Sequence, residues 1–419
     1  MDYRETATIR INWEDIEKEL AQANQRGRKN SCVMRRDAAE FGYIFPSAQL
    51  LHEYTSAQVF MDHDRVIKLA QILQSRLELL KIDAEVFSIK PTSLAITFSI
   101  RPAEGISIKT FMRNKLEFDI CLASPVEITP GRKGGNTVDI TIKNLHKHMV
   151  GLRSVIETEE YMYAMSPLMI AAGCDAQGDP LCFDLLEARH VLIAGATGSG
   201  KSVFIDDILI SILFRAAPEE VKLLLIDPMG THLSAYNGIA HLLEPAISEV
   251  DDALDALAWL EDTMMLRIER FSDAGVRNLD AYNHYAKENA EDILPRIVVV
   301  VDEYSELMRT APDEMNDMID HIVSLGRATG VHLVLATQLP VSSVITPHIK
   351  NNIRSRASFA VIDERESRIL LEQGGEERLL GSGDMILSRS DTNAVRAQAA
   401  YVSETEVRAV TDYVRKMNL

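Results

Sequence analysis

The chain is poor in cysteine, in long apolar runs and in basic charge. Its 419 residues include four cysteines, Cys32, Cys121, Cys174 and Cys182, scattered along the sequence. Cys174 and Cys182 are too far apart for a C-x-x-C site, and no histidine stands near them in a ligand-like array. A thiolate metal centre and a disulfide framework are therefore excluded, and the pattern reads as reduced thiols in a cytoplasmic protein. The longest apolar runs, such as Ile297–Val301, fall far short of the roughly 20 residues that cross a bilayer. The opening residues, Met1 to Glu5, are charged and have no apolar stretch behind them, so no signal peptide is read there. Lys and Arg number 44 against 62 Asp and Glu, a net charge of −18. That excludes a passive coat on nucleic acid, though not a grip through a few well-placed residues. The acidity is uneven: Val86–Arg153 holds ten Lys/Arg against five Asp/Glu.

What the chain does have is a phosphate loop. Gly195, Ala196, Thr197, Gly198, Ser199, Gly200, Lys201 and Ser202 fit G-x-x-x-x-G-K-[ST]. The apolar run His190–Ala194 before it reads as a buried strand, and Val203–Phe214 after it has helical periodicity. Strand, glycine loop, helix is the context this motif requires. The glycines let backbone N–H groups turn toward phosphates, and the helix N-terminus adds partial positive charge. Lys201 can reach the β- and γ-phosphates of ATP, and Ser202 can ligate Mg²⁺.

The rest of the chain divides around this loop. Residues 1–45 are a polar arm to which no function is assigned, with a short helix expected over Ile11–Leu20 and a linker over Asn24–Asn30. Residues 46–155 read as a small α+β domain. It has an amphipathic helix over Asp64–Lys81, strands at Ala84–Ile89 and Leu94–Ile100, a helix over Ser107–Leu122, and strands at Val126–Ile128 and Thr137–Ile142. Residues 156–419 alternate strand and helix, the signature of an α/β fold with a parallel sheet. Buried strands are expected at Val221–Asp227, Arg296–Asp302 and His332–Thr337, with shorter ones at Ala357–Val361 and Asp384–Leu387. Helices are expected at Asp251–Phe271, Glu314–Arg327 and Glu404–Lys416.

The strand Ile297–Val301 ends in Asp302 and Glu303. A buried strand delivers such carboxylates to the sheet edge where the phosphate loop sits. Asp302 is then placed to hold the water shell of Mg²⁺, and Glu303 to orient and deprotonate an attacking water. Asp227 ends another strand, where it either faces the nucleotide edge or starts a turn. Gln338 follows the fourth strand, where a polar side chain can sense the γ-phosphate.

Taken together these pieces resemble the motor of the FtsK/SpoIIIE family of DNA translocases. The resemblance runs through Gly195–Ser202, Ile226–Pro228, Gly238–Leu243, Gly275–Asn278, Val300–Glu303 and Arg327–Gln338. It continues through Val344–Thr346, Ile349–Ile353, Glu372–Gly375 and Leu379–Met385. Residues 46–150 look like the family's preceding α domain. The resemblance implies a RecA-like P-loop NTPase that uses ATP and Mg²⁺ and assembles as a homo-hexamer threaded by double-stranded DNA. It implies that Arg327 completes a neighbouring subunit's site. It also implies DNA contacts by Lys350, Arg368 and Arg277.

Three departures bear on the grip. Met229 stands where the family usually reads Lys after Asp-Pro, Leu339 where it reads Arg after Ala-Thr-Gln, and Glu364 where a Lys is common. The chain stops after Lys416 without the winged-helix module of many relatives, and no membrane-anchoring segment precedes the motor. A membrane or orientation-reading partner subunit is the expected source of those parts. The leading expectation is a DNA pump for chromosome, plasmid or conjugative DNA. The alternative is a secretion-type, type VII-like ATPase acting on protein, which the depleted basic set and net acidity favour.

Overall fold

The computed structural model describes residues 42–54, 63–91, 95–131, 137–143, 149–176, 178–361, 365–366, 369, 379–389 and 392–417. The helix and linker expected before residue 41 lie outside them, as do Glu364, Arg368 and Glu372–Gly375. The described residues form two compact units, one drawn from 54–149 and 176–179, the other from 42–53, 150–175 and 180–417.

In the first unit, helix α1 (His63–Leu79) repeats apolar residues at Val66, Ala70, Leu73 and Leu77, the spacing of one helix face. All four are buried in one core with Phe98, Ile100 and Ile140. Strands β1 (Ala84–Pro91), β2 (Ala95–Pro102), β3 (Val126–Pro130) and β4 (Val138–Lys143) pair antiparallel in the order β1-β2-β4-β3. The single helix expected over Ser107–Leu122 is two, α2 (Ile108–Arg113) and α3 (Lys115–Cys121). Asn114 breaks it: its Nδ2 donates to the Thr110 carbonyl at 2.8 Å, and its backbone closes a tighter turn on Phe111. A short polar side chain that bonds the local backbone competes with the helix ladder.

The second unit is built on a sheet of ten strands. Its labelled strands are β5 (Met169–Asp175), β6 (Pro180–Asp184), β7 (Val191–Ala194), β8 (Val221–Ile226), β9 (Arg296–Val301), β10 (Val331–Thr337), β11 (Ser355–Phe359), β12 (Asp384–Arg389) and β13 (Thr392–Tyr401). Their order is β6-β5-β13-β12-β11-β7-β10-β9-β8, with Val150–Gly151 paired beside β13. From β11 to β8 every pair is parallel, as expected. From β11 to β6 every pair is antiparallel, so the sheet is mixed and extends beyond the parallel part read from sequence.

Helices cover both faces of the parallel half. On one face the helix after the phosphate loop, α4 (Lys201–Leu213), buries Phe204, Ile205, Ile208 and Ile212 against Val298, Val300, Val334 and Ala336. On the other, α5 (Val250–Asp273) supplies Leu257, Leu260 and Met264, packed with Val299, Val301, Leu333 and Leu335. Further elements are α6 (Leu279–Asn289), α7 (Tyr304–Thr310), α8 (Pro312–Thr329), α9 (Pro347–Asn352) and α10 (Glu404–Met417). Helix α8 adds Met315, Ile319 and Ile322 to the second core. Successive strand residues face opposite ways, so a strand covered on both faces must be apolar throughout. That accounts for the unbroken Ile297–Val301.

Candidate nucleotide-binding site

The loop Gly195–Ser202 leaves the C-terminal end of β7, between β10 and β11. Gly200 sits at φ 118°, and a Cβ there would meet the Gly383 nitrogen at 2.7 Å. This close approach explains the Leu379–Met385 stretch: the Gly383 N–H donates to the Ser199 carbonyl at 2.8 Å and braces the loop from behind. Lys201 is buried, and its Nζ donates to the Gly195 and Ala196 carbonyls at 2.6 and 3.1 Å. Burial pushes its pKa down to about 8, against the pull of the Glu303 and Asp302 charges. The Ser199 hydroxyl is buried with no hydrogen-bond partner among the described residues, while Ser202 is exposed. An unsatisfied buried hydroxyl and a lysine tied only to its own loop are groups that phosphate oxygens would engage.

Strand β9 ends where the loop sits. Glu303 is only 6% exposed. Its Oε1 accepts from Ser305 Oγ at 2.6 Å, Thr337 Oγ1 at 2.9 Å and the Gln338 amide at 3.1 Å, and the same amide reaches Oε2 at 3.1 Å. The Gln338 side chain accepts from the Thr197 hydroxyl of the phosphate loop. One residue, Gln338, thus links the loop to Glu303. Ser305 and Thr337 were not legible as site residues in the sequence: Ser305 bonds Glu303 from the first turn of α7, and Thr337 does so from β10, beside β9.

Asp302 is engaged by a residue the sequence did not flag. The carboxylate of Asp227 caps its own turn: Oδ1 accepts from the amides of Met229 and Gly230, and Oδ2 from those of His232 and Leu233, at 2.8–3.2 Å. Of the two roles open to Asp227, the structure shows the turn. That turn carries His232, whose Nδ1 lies 3.1 Å from Asp302 Oδ2 and whose Nε2 lies 3.0 Å from Asp206 Oδ1 on α4. Tyr236 also donates to Asp206 Oδ1, at 2.7 Å. Burial alone would lower the His232 pKa, but hydrogen bonds to Asp206 and Asp302 and their charges outweigh it and raise it to about 10. Each ring nitrogen thus lies within hydrogen-bond distance of a carboxylate oxygen, a group that accepts. Asp206 and Asp207 interrupt a largely apolar run of α4, but nothing in the sequence names His232 as a partner.

The remaining candidates lie elsewhere. Arg327 is exposed near the end of α8, two residues before that helix stops and four before β10 begins. A seven-residue strand spans about 20 Å, so Arg327 and Gln338 sit at opposite edges of the sheet. Arg277 is exposed, just before α6. Leu279 at the start of α6 packs on Gly330, so Arg277 also belongs to the edge where β10 begins. Lys350 is half-buried on α9.

The oxygen donors fit a hard cation. The Ser202 hydroxyl and the Asp302 carboxylate, whose Oδ1 has no partner among the described residues, suit Mg²⁺, which commonly takes one or two protein ligands and completes its shell with water and substrate phosphates. Among the described residues no group of three or more His, Cys, Asp or Glu could hold a metal by itself.

A phosphate loop at the C-terminal edge of parallel strands, with an acidic pair delivered two strands away, defines a RecA-like P-loop ATPase fold. A sequence model of the FtsK/SpoIIIE family matches residues 151–342, and one of the FtsK alpha domain matches residues 45–144. The chain belongs to the FtsK/SpoIIIE family. It is 38% identical over 383 residues to the DNA translocase FtsK of Clostridium acetobutylicum, covering 90% of this chain and 50% of that one. It is 37% identical over 376 residues to the DNA translocase SftA of Bacillus subtilis, covering 89% of this chain and 39% of that one. The chain thus spans about half, or less, of the length of these curated relatives. Among solved structures, the monomeric pCW3 conjugation coupling protein TcpA with ATPγS superposes with a TM-score of 0.59 at 22% identity. That match covers 84% of this chain and 100% of the solved one, and it shows the fold. The cytoplasmic domain of the Thermomonospora curvata type VII secretion ATPase EccC gives 0.56 at 26% identity, covering 64% of this chain and 34% of that one. Among the described residues no helix is long and apolar enough to cross a membrane.

Proposed function

We propose that this chain is an ATP-hydrolysing motor that moves double-stranded DNA, working in the cytoplasm as a homo-hexameric ring. The observation that carries the reading is the phosphate loop linked through Gln338 to Glu303, in a chain 38% identical over 90% of its length to a named DNA translocase.

In this reading the loop amides and Lys201 hold the phosphates of ATP. Glu303 takes the proton of the attacking water, and Gln338 reports the γ-phosphate to it through Thr197. Ser202 and Asp302 hold Mg²⁺, which supplies charge neutralisation at the phosphate oxygens. Arg327 lies a strand's length from its own loop and serves the neighbouring subunit's site. Lys350, Arg368 and Arg277 contact the duplex, and a partner subunit supplies membrane anchoring or DNA orientation. A protein substrate is the second reading. It is favoured by the exposed Leu339 (47%) beside Gln338, where a basic residue would serve DNA.

The test is the ATPase rate with and without long duplex DNA, at low and moderate salt. The DNA reading expects several-fold stimulation that salt weakens. No stimulation at either salt moves the protein-substrate reading ahead.

A further inference from the structure

We propose that His232 is a positioning residue for the metal-holding carboxylate, fixing Asp302 between the Asp227 turn and the phosphate-loop helix. The proposal rests on the reading of Asp302 as a Mg²⁺ holder given above.

The geometry is closed on three sides. Asp227 pins the turn with four backbone amides, the His232 amide among them. The imidazole ring, mostly buried, spans Asp302 Oδ2 at 3.1 Å and Asp206 Oδ1 at 3.0 Å. Asp206 is itself held by Tyr236 Oη at 2.7 Å and lies four residues past Ser202 on the same helix. Ser202 and Asp302 come from different elements, so their spacing is set by whatever ties α4 to the end of β9. His232 is that tie. It occupies one carboxylate oxygen of Asp302 and leaves the other, Oδ1, facing no protein donor among the described residues. A freely rotating carboxylate would have to be ordered each time the cation binds. A held one does not, which is how outer-shell hydrogen bonds raise metal affinity. A residue that only packed the turn would need neither nitrogen on a carboxylate.

Stereochemistry supplies a test that separates positioning from packing. An Asn amide nitrogen is one bond beyond Cγ, as His Nδ1 is; a Gln amide nitrogen is two bonds beyond Cγ, as Nε2 is. His232→Asn can therefore still donate to Asp302, whereas His232→Gln can serve only Asp206. The measurement is Mn²⁺ affinity by electron paramagnetic resonance, with a non-hydrolysable ATP analogue bound, together with analogue affinity in EDTA. His232→Ala is expected to weaken Mn²⁺ binding about 10- to 100-fold, with metal-free analogue affinity within about twofold of wild type, which also shows the site is folded. His232→Asn should recover most of the loss and His232→Gln should not. Asp302→Ala is the control. If it weakens Mn²⁺ binding at least tenfold while His232→Ala changes it less than twofold, the proposal is overturned and the reading of Asp302 stands. Rescue by Gln and not by Asn also overturns it. If Asp302→Ala leaves Mn²⁺ affinity unchanged, the reading of Asp302 fails and takes the proposal with it.

Discussion

Replacing Glu303 by Gln separates the chemistry of the site from its assembly. The carboxylate takes three donors on Oε1 and shares the Gln338 amide with Oε2. A Gln carbonyl can keep the Ser305 and Thr337 bonds, but its amide nitrogen then faces the Gln338 N–H, donor against donor. Hydrogen bonds to a charged group contribute about 1.5–3 kcal/mol and neutral ones about 0.5–1.5. Because Glu303 is buried, the substitution should cost about 1–3 kcal/mol of stability, a fall in Tm of several degrees for a unit of this size. A domain with roughly 5–15 kcal/mol of stability stays folded through that loss. The hydrolytic effect is separate: losing the general base should cut turnover by about 10² or more, near 2.7 kcal/mol of barrier. Nucleotide affinity should change little, since the phosphates are held by the loop and Lys201. The assay is single-turnover ATP hydrolysis alongside titration of a fluorescent nucleotide, with Lys201→Ala for comparison. Lys201→Ala should weaken binding and abolish turnover together. If Glu303→Gln hydrolyses ATP within threefold of wild type, the base lies elsewhere and the reasoning fails.

Three further outcomes are expected. Arg327→Ala subunits should bind ATP without turning it over. Mixing them with Glu303→Gln subunits should restore activity, because some interfaces then carry both intact groups; mixed rings with no activity would contradict the trans role. Leu339→Arg with Glu364→Lys should tighten duplex binding and steepen the salt dependence by about one to two units, read from affinity across a salt series. The fold should also be acid-sensitive. Burial lowers His190, His241 and His332 from 6.5 to about 3, 4 and 4, with the neighbouring His332 adding to the shift of His190. A histidine with a depressed folded-state pKa contributes stability fully above pH 6.5, and that contribution is lost as pH falls toward the folded value, because the unfolded chain binds the proton first. At pH 5 the loss is about 2 kcal/mol each, so urea midpoints at pH 7.5 and 5.0 should differ clearly; equal midpoints would contradict it.

The legible parts of the sequence were those whose chemistry or burial leaves little choice of residue. The phosphate loop needs its glycines and its lysine in a fixed local order, and a strand covered on both faces must be apolar, so Ile297–Val301 and its two trailing acids stood out. The antiparallel extension did not. Strand β13 reads Thr, Asn, Ala, Val, Arg, Ala, Gln, Ala, Ala, Tyr, and β5 is largely small residues. Neither has the β-branched content that marks a strand by itself, and both are strands because β12 and the sheet offer them partners. Asn114 defeated the helix read across it through one side-chain bond to the backbone. His232 was hidden for a different reason. Its partners lie 26 and 70 residues away, and no local pattern records such a contact. The resemblance to a DNA motor assigns Arg327 to a neighbour's site, an assignment that no local pattern carries; in the structure a strand of about 20 Å separates Arg327 from Gln338.

The central claim is that ATP hydrolysis at this site moves the protein along duplex DNA. The most direct measurement is displacement of a third strand from a triplex at one end of a long duplex, with ATP and Mg²⁺ present. The account predicts ATP-dependent release whose lag grows with the length of duplex ahead of the triplex, and no release by Glu303→Gln. Absence of release under conditions where DNA stimulates the ATPase, or release with a lag independent of duplex length, would contradict it.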